Sequence, residues 1–393
     1  MTRARDSVIV PAIGVPSSLA AVRSLGRAGV DVIAVSSDPN PPSFASTYCT
    51  RSVVVPSPSM SLSAYSDALL EVLEKTGSRA ILPMREADVY ALARSSAAFA
   101  EHITPMWPSP ETLRNAQDRS QLFEAADAVG VPRPETKPLT DWPDHERPVV
   151  VKPRYTILVD ESDDRARYPG VRVYEPEERP NPDAIVEEMG HRPLLQEFIP
   201  NGGEFGYFAL FDRGEPVATF QHERIRSHAY GGGASVYRRS VHVPTLDRYG
   251  AGLLSELRWH GPAMVEFRRD ARDGSFRLME INPRYWGSLA LPIHAGVDFP
   301  RYHYQLAVGD VPSIEPGVYD TDVGCHKLRG ELLYLYNVYR GVGNGPRPSL
   351  GGECASVLRS LYRDPRFDYL DLEDLRPFFA DLRNTVGQIS AER

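Results

Sequence analysis

Over roughly the first hundred residues, short β-branched runs alternate with stretches whose apolar positions recur every three or four residues. SVIVPAI, VDVIAV, RSVVVP, RAILP and HITPM read as strands, and SSLAAVRSLGRAG, LSAYSDALLEVLEKTG and EADVYALARS read as helices. Strands alternating with helices predict a parallel sheet wrapped by helices. The loop Gly14 to Ser18 stands where such a sheet holds a pyrophosphate, but it lacks G-x-G-x-x-G spacing. Ser17 and Ser18 are read instead as the cap of the first helix.

Ser109 before Pro110 predicts one helix start, and Asp118 predicts a second helix that ends at Gly130. A proline-rich tract from Pro132 to Pro148 leads into the strand PVVVK. Residues 154 to 178 are polar, acidic and weakly periodic, as in a functional loop, a lid or a disordered tract. A strand VRVYE, a helix PDAIVEEMG and a strand LLQEFI complete a small α/β unit. Downstream, WGSLALPIHAGVDFPRYHYQLAVGD reads as two helices. Residues 313 to 393 carry LRGELLYLYNVYRG, ASVLRSLYRD and LRPFFADLRNTVG, whose periodicity predicts a helical extension.

The stretch FRLMEINPRYWGSL places an acid, an amide and a guanidinium at alternate positions. In a strand the side-chain period is two, so Glu280, Asn282 and Arg284 share one face. Glu266, in PAMVEFRRD, lies on the preceding strand, and Asp270 to Gly274 reads as the hairpin turn. Two carboxylates and an amide oxygen are hard ligands that suit Mg²⁺. Taken alone, the hairpin reads first as a pair of strands with one charged, solvated face.

The chain has 393 residues, enough for about two to three domains. Its net charge of −8, with both signs interspersed, lacks the clustered cations of a nucleic-acid face. Only Lys75, Lys137, Lys152 and Lys327 are lysines, against 40 arginines, so the ammonium at the strand end Lys152-Pro153 stands out. Cys49, Cys325 and Cys354 show neither zinc spacing nor an even pairing. The basic start precedes an apolar run too short and proline-broken for a signal peptide. No run approaches the roughly 18 apolar residues of a membrane helix. A soluble protein of the reducing cytoplasm, with no nucleic-acid or membrane partner, is the expectation.

In order and spacing, Lys152, Glu197, Glu204, Glu266, Glu280, Asn282 and Arg284, with Arg119 in AQDR upstream, resemble the ATP-grasp superfamily. The likeness covers roughly residues 1 to 310 and is strongest to carbamoyl-phosphate-synthetase-like and carboxylate-amine ligase members. It implies an α/β chain of three parts. Residues 1–106 form a Rossmann-like open parallel sheet that precedes the ATP-grasp core. Residues 107–312 form that core, with a mobile lid at about 149–196, and 313–393 form a mainly helical extension. The extension is expected to wall the acceptor pocket or to make a homodimer contact.

The resemblance also distributes roles. Arg119 and Lys152 grip the phosphates of ATP; Glu197, Phe198 and Ile199 meet the adenine, and Glu204 accepts from the ribose hydroxyls. Glu266, Glu280 and Asn282 hold Mg²⁺ (or Mn²⁺). Arg284 and Arg238 are the catalytic arginines. HERIRSHAYGGGASVYRRSV, with Gly231 to Gly233 between Arg224, Arg226, Arg238 and Arg239, lines the γ-phosphate and acceptor side, where guanidinium groups suit a carboxylate. A basic strand edge is the plainer reading of that segment, and His222 and His228 receive no role. One departure stands out: KPRYTILVDESDDRARYPG lacks the family's glycine-rich phosphate loop, which leaves Arg154 or Thr156 to replace it in part.

The implied activity joins a carboxylate to an amine through an acylphosphate, with release of ADP and phosphate. Two alternatives remain open here. One is a bicarbonate-using enzyme of the carboxylase or carbamoyl-phosphate type; the other is a non-catalytic ATP-binding regulator.

Overall fold

β1 (Ser7–Pro11), β2 (Asp31–Ser36), β3 (Cys49–Val54) and β4 (Ala80–Ile81) pair in parallel in the order β3-β2-β1-β4. The computed structural model describes residues 6–12, 14–142, 145–160, 164–343 and 345–391. The basic start at 1–5 and parts of the proline-rich and acidic tracts, 143–144 and 161–163, lie outside the described residues. Every residue of β1 is buried, as a sheet covered on both faces requires. Val8 and Val10 pack with α1 (Pro16–Arg27), whereas Ile9 packs with α2 (Leu62–Thr76) and α3 (Glu86–Arg94). The short α4 (Ser96–Ala100) follows.

Two local expectations fail in this region. Pro16 occupies the first turn of α1, so Val15 is its cap residue, and Ser18 sits inside the helix and donates to the Pro11 carbonyl at 2.8 Å. HITPM forms no strand; Ile103 and Met106 are buried without joining the sheet.

α5 (Pro110–Gln117) is capped by Ser109 and α6 (Arg119–Ala128) by Asp118, each through its side-chain oxygen. A second sheet holds β5 (Thr136–Pro138), β6 (Val149–Lys152), β9 (Arg172–Tyr174) and β10 (Leu194–Glu197) in the order β5-β10-β6-β9. Its lid thus draws a strand from upstream of residue 149. α7 (Pro182–Met189) covers it through Ile185 and Met189.

The acidic tract contains an unforeseen hairpin, β7 (Leu158–Asp160) with β8 (Arg165–Arg167), and this hairpin docks on the first domain. The Asp164 carboxylate accepts from Ser61 Oγ at 2.7 Å, the Ser63 amide at 2.8 Å and Arg94 Nη1 at 2.7 Å. It therefore meets the N-terminal end of α2, and the Ser61 and Ser63 hydrogen bonds pull its pKa to about 2.

The largest sheet is antiparallel. It is built from β11 (Asn201–Asp212), β12 (Glu215–Ala229), β13 (Gly232–Ser240), β14 (Gly261–Asp270), β15 (Phe276–Asn282) and β16 (Gly324–His326), in the order β15-β14-β11-β12-β13-β16. One face packs on α6 and α8 (Pro244–Glu256) through Tyr207, Val265, Phe267 and Leu253. The other packs on α9 (Ala290–His294), α10 (Phe299–Ala307) and α1, with the Trp286 ring 4.5 Å from Phe208. Further along that second face the apolar residues give way to acids and arginines.

The C-terminal part carries α11 (Leu328–Arg340), α12 (Leu350–Arg363) and α13 (Arg376–Ala391). It is not helical throughout, because β16 becomes the sixth strand of the core sheet. Between α12 and α13 the chain returns to the first domain. There buried Arg23 donates to Asp374 Oδ2 at 2.9 Å and to the carbonyls of Tyr369 and Asp374. Among the described residues, no helix is long and apolar enough to cross a membrane.

Candidate active site

The hairpin β14–β15 puts Glu266 and Glu280 directly opposite each other in register, and Met264 opposite Asn282. Asn282 Nδ2 lies 3.3 Å from Glu266 Oε1 and 3.5 Å from Glu280 Oε1, so both carboxylates converge on one point. A half-turn of the amide, which would give up the Arg284 hydrogen bond to Oδ1, would present its oxygen there. Burial, with Glu280 adding repulsion, raises the Glu266 carboxyl. Burial works against the Glu280 charge as well, yet Arg119 and Lys152 hold that carboxyl below its usual range. Two opposed carboxylates and an amide, one acid destabilised by the other, fit a divalent cation. Among the described residues no group of three His, Cys, Asp or Glu side chains is placed to hold a metal. The set is therefore two acids and an amide, leaving room for waters and phosphate oxygens.

Cations surround this point from three elements. Arg119, at the start of α6, is buried; its Nη2 lies 3.1 Å from Glu280 Oε2, its Nη1 donates to the Pro153 carbonyl, and its Nε has no partner. Arg284 lies just past β15 and donates to Asn282 Oδ1 at 2.8 Å and to the Tyr285 carbonyl at 3.0 Å. Its Nε sits 3.4 Å from Glu86, which opens α3 in the first domain.

Lys152, at the end of β6, is buried, and burial with the repulsion of Arg119 lowers its pKa to about 8. Below pH 8 folded and unfolded chains both carry this proton. Above it, up to the ordinary lysine range, only the unfolded chain keeps it, so nucleotide-free stability rises with pH across that window. If Lys152 meets phosphate oxygens, as the resemblance implies, they favour its charged form, and the apparent Kd for ATP should then rise by about tenfold per pH unit above pH 8. Equilibrium titration with ATP from pH 7 to 10 checks this, and a flat profile in the wild type would remove Lys152 from the phosphate site.

Glu204, on β11, is clamped between two arginines. Its Oε1 accepts from Arg268 at 2.9 Å and its Oε2 from Arg224 at 3.2 Å; Arg224 also reaches Glu266 Oε1 at 3.1 Å. Arg268 donates further to the Ile199 carbonyl, tying Glu204 to the segment between the lid sheet and the core sheet. Ile199 is buried and Phe198 half-buried. The Glu197 carboxylate turns toward the hairpin loop, where it accepts from Arg272 at 2.5 Å and from the Glu135 amide at 3.3 Å. Arg268, Arg272 and Glu86 were missed in the sequence because each resembles an ordinary surface charge.

Three other arginines are not where the sequence pattern suggested. Arg238, expected to be catalytic, is 1% exposed and ion-paired with equally buried Asp368 of the C-terminal part. A guanidinium so enclosed holds the extension to the sheet and does not meet a substrate. Arg226 pairs with Glu331 at 2.8 Å and with Ser356, and Arg239 pairs with Asp364 at 3.1 Å. Only Arg224 of that group faces the acids.

The triglycine loop docks on α11: Asn337 Nδ2 donates to the His228 carbonyl at 2.8 Å, and Tyr230 bridges to Gly343. Gly233 has φ +102°, and a Cβ there would lie 2.2 Å from the His228 ring. Beside the loop is a cavity of about 210 Å³ bounded by Glu204, Arg224, Tyr230, Gly232 and Tyr334. Arg154 and Thr156 do not stand in for a phosphate loop either. Arg154 forks onto Asp118 at 2.7 and 2.9 Å and Thr156 donates to the Gln117 carbonyl, so both pin the lid to the α5–α6 junction.

No family model matches the sequence, nor does any curated protein. Solved structures do match. Over 79% of this chain the fold resembles pyruvate carboxylase of Rhizobium etli, with TM-score 0.60 and 18% identity; the chain spans 28% of that protein's length. An L-amino acid ligase from Bacillus licheniformis aligns over 80% of this chain and 76% of its own, with TM-score 0.59 and 17% identity. A biotin carboxylase from Campylobacter jejuni, solved as a β,γ-ATP complex, aligns over 81% and 74%, with TM-score 0.60 and 16% identity. At such identities the likeness is one of fold.

Proposed function

We propose that this chain, which has the ATP-grasp fold, is an ATP-dependent ligase that joins a small-molecule carboxylate to an amine through an acylphosphate. The observation that carries this reading is the convergence of Glu266, Glu280 and Asn282 on one point, with Arg119, Lys152 and Arg284 around it. In this reading ATP lies between the lid and core sheets, with adenine along Phe198 and Ile199. Each Glu204 oxygen keeps a second lone pair for the ribose hydroxyls. Lys152 and Arg119 hold the phosphates, and Glu266, Glu280 and Asn282 hold Mg²⁺ (or Mn²⁺). The cation, when bound, offsets the charge of the triphosphate.

The remaining chemistry needs no covalent nucleophile from the protein. A substrate carboxylate oxygen attacks the γ-phosphorus, the bond to the β,γ-bridging oxygen breaks, and ADP leaves. The amine nitrogen then attacks the acyl carbon, and phosphate departs with the electron pair of the C–O bond. In this reading Arg284, held by the Tyr285 carbonyl, is aimed at charge that grows in both steps. The three-part division at residues 106 and 312 and a cytoplasmic setting belong to the same proposal.

A second reading, bicarbonate as the acid, gains support from the loss of Arg226, Arg238 and Arg239 to structural pairs. Few cations remain for a large organic acid. An ADP-release screen of carboxylates crossed with amines separates the two. Release that needs both an organic acid and an amine supports the ligase, whereas release with bicarbonate alone supports the alternative.

A further inference from the structure

Glu86 enters the site from a different domain than the acids it faces. Its side chain is 11% exposed, and among the described residues its one ion pair is the 3.4 Å contact with Arg284. Asp88, rather than Glu86, folds back on the start of α3, accepting from the amides of Met84 and Arg85. Glu280 and Arg119 also act on it from the core, and Tyr168, just after the lid hairpin, lies close enough to feel the charges of Glu86 and Asp88. The hairpin itself is fixed to the first domain by Asp164. Three parts of the chain thus meet around one carboxylate that the nucleotide and cation sites do not use.

Its partner Arg284 is the group aimed at the phosphoryl and acyl charge, so Arg284 cannot fully neutralise Glu86 once substrates are bound. A buried carboxylate deprived of its cation is strongly disfavoured. An ammonium group arriving on the same side restores the balance. Burial also raises the Glu86 carboxyl above the usual range, which favours its taking up a proton.

We infer that Glu86 is the acceptor-amine subsite: it binds the incoming primary ammonium against Arg284, beside Tyr168, and takes the proton that frees the nitrogen for attack. This rests on the ligase reading. The ammonium gives one proton to the Glu86 carboxylate, the neutral nitrogen forms the C–N bond, and the acyl C–O bond breaks. The second nitrogen-bound proton leaves with the departing phosphate.

Hydroxylamine tests this, because it is uncharged near neutral pH and needs no base to attack an acylphosphate. Wild type and Glu86→Gln are assayed with ATP, Mg²⁺ and pooled carboxylates (the twenty L-amino acids and the common di- and tricarboxylic acids). The acceptor is either hydroxylamine or ammonium chloride with the L-amino acid pool. Amide formation in Glu86→Gln is expected to fall by about 100-fold, while acyl-hydroxamate formation falls less than about tenfold. Glu86→Asp, which keeps the charge, should recover part of the amide rate and covers the case in which Glu86→Gln fails to fold. Equal losses of amide and hydroxamate would reduce Glu86 to a prop for Arg284, and no loss in either would remove it from the site. Wild type that yields neither hydroxamate nor ADP with any acid would overturn the ligase reading, and the Glu86 subsite with it.

Discussion

Glu280→Gln is expected to fold normally and to lose about 10³-fold in turnover. The substitution keeps the volume of the side chain and an oxygen that can still accept from Arg119, now 3.1 Å from Glu280. It also relieves the repulsion that Glu280 exerts on Glu266 across the hairpin. Stability should therefore change little, since the lost attraction to Arg119 and Lys152 is offset in part by the lost repulsion. What disappears is one of two charges that hold a cation in place, in a site where preorganised charge accounts for factors of about 10² to 10³ per group. Thermal melting and ADP release measured on one preparation check both halves. A folded Glu280→Gln protein with normal Mg²⁺-dependent turnover would remove the metal assignment.

Asp368→Ala is expected to destabilise the protein by about 3–5 kcal/mol, because it leaves Arg238 charged and buried without a counter-ion. The same carboxylate accepts from the buried Cys325 thiol at 3.5 Å, so one residue joins β13, β16 and the C-terminal segment. Denaturant titration of Asp368→Ala against Asp368→Asn, which keeps the hydrogen bonds, gives the size of the effect. A loss below about 1 kcal/mol in both would show that the extension is held by other contacts.

Why Arg238 was misjudged from sequence explains much of what was legible. Period-two patterning in FRLMEIN is local, and its consequence, three groups on one side of a hairpin, follows from backbone geometry alone. The 3.6-residue patterns and the caps Ser109 and Asp118 are equally local, and the helices begin where those residues place them. Arg238, by contrast, finds its partner 130 positions downstream, in a segment with no periodic signal. Arg226 is claimed in the same way by Glu331. The run of arginines around the triglycine loop therefore resembled a substrate surface, although three of its four members fasten the C-terminal part to the core sheet.

The β7–β8 hairpin was hidden for a related reason. Its strands are three residues each, too short for a period of two to stand out, and its place is fixed by Asp164 on the distant start of α2. Glu86 looked like an ordinary first-turn acid, a position where a carboxylate is common at any helix start. Only the approach of the first domain to Arg284 gives it a chemical setting. Conversely, HITPM had the composition of a strand, but beside the two-residue edge strand β4 its Ile103 and Met106 are buried in two different clusters and do not pair into the sheet.

The central claim, γ-phosphoryl transfer to a carboxylate followed by attack of an amine, is tested most directly by isotope transfer. With a carboxylate substrate carrying ¹⁸O in both oxygens, one labelled oxygen should appear in inorganic phosphate for each amide formed, since the oxygen that attacked phosphorus leaves with it. Mass spectrometry of the released phosphate reads this. Label kept wholly in the organic product, or release of AMP and pyrophosphate in place of ADP, would contradict the account.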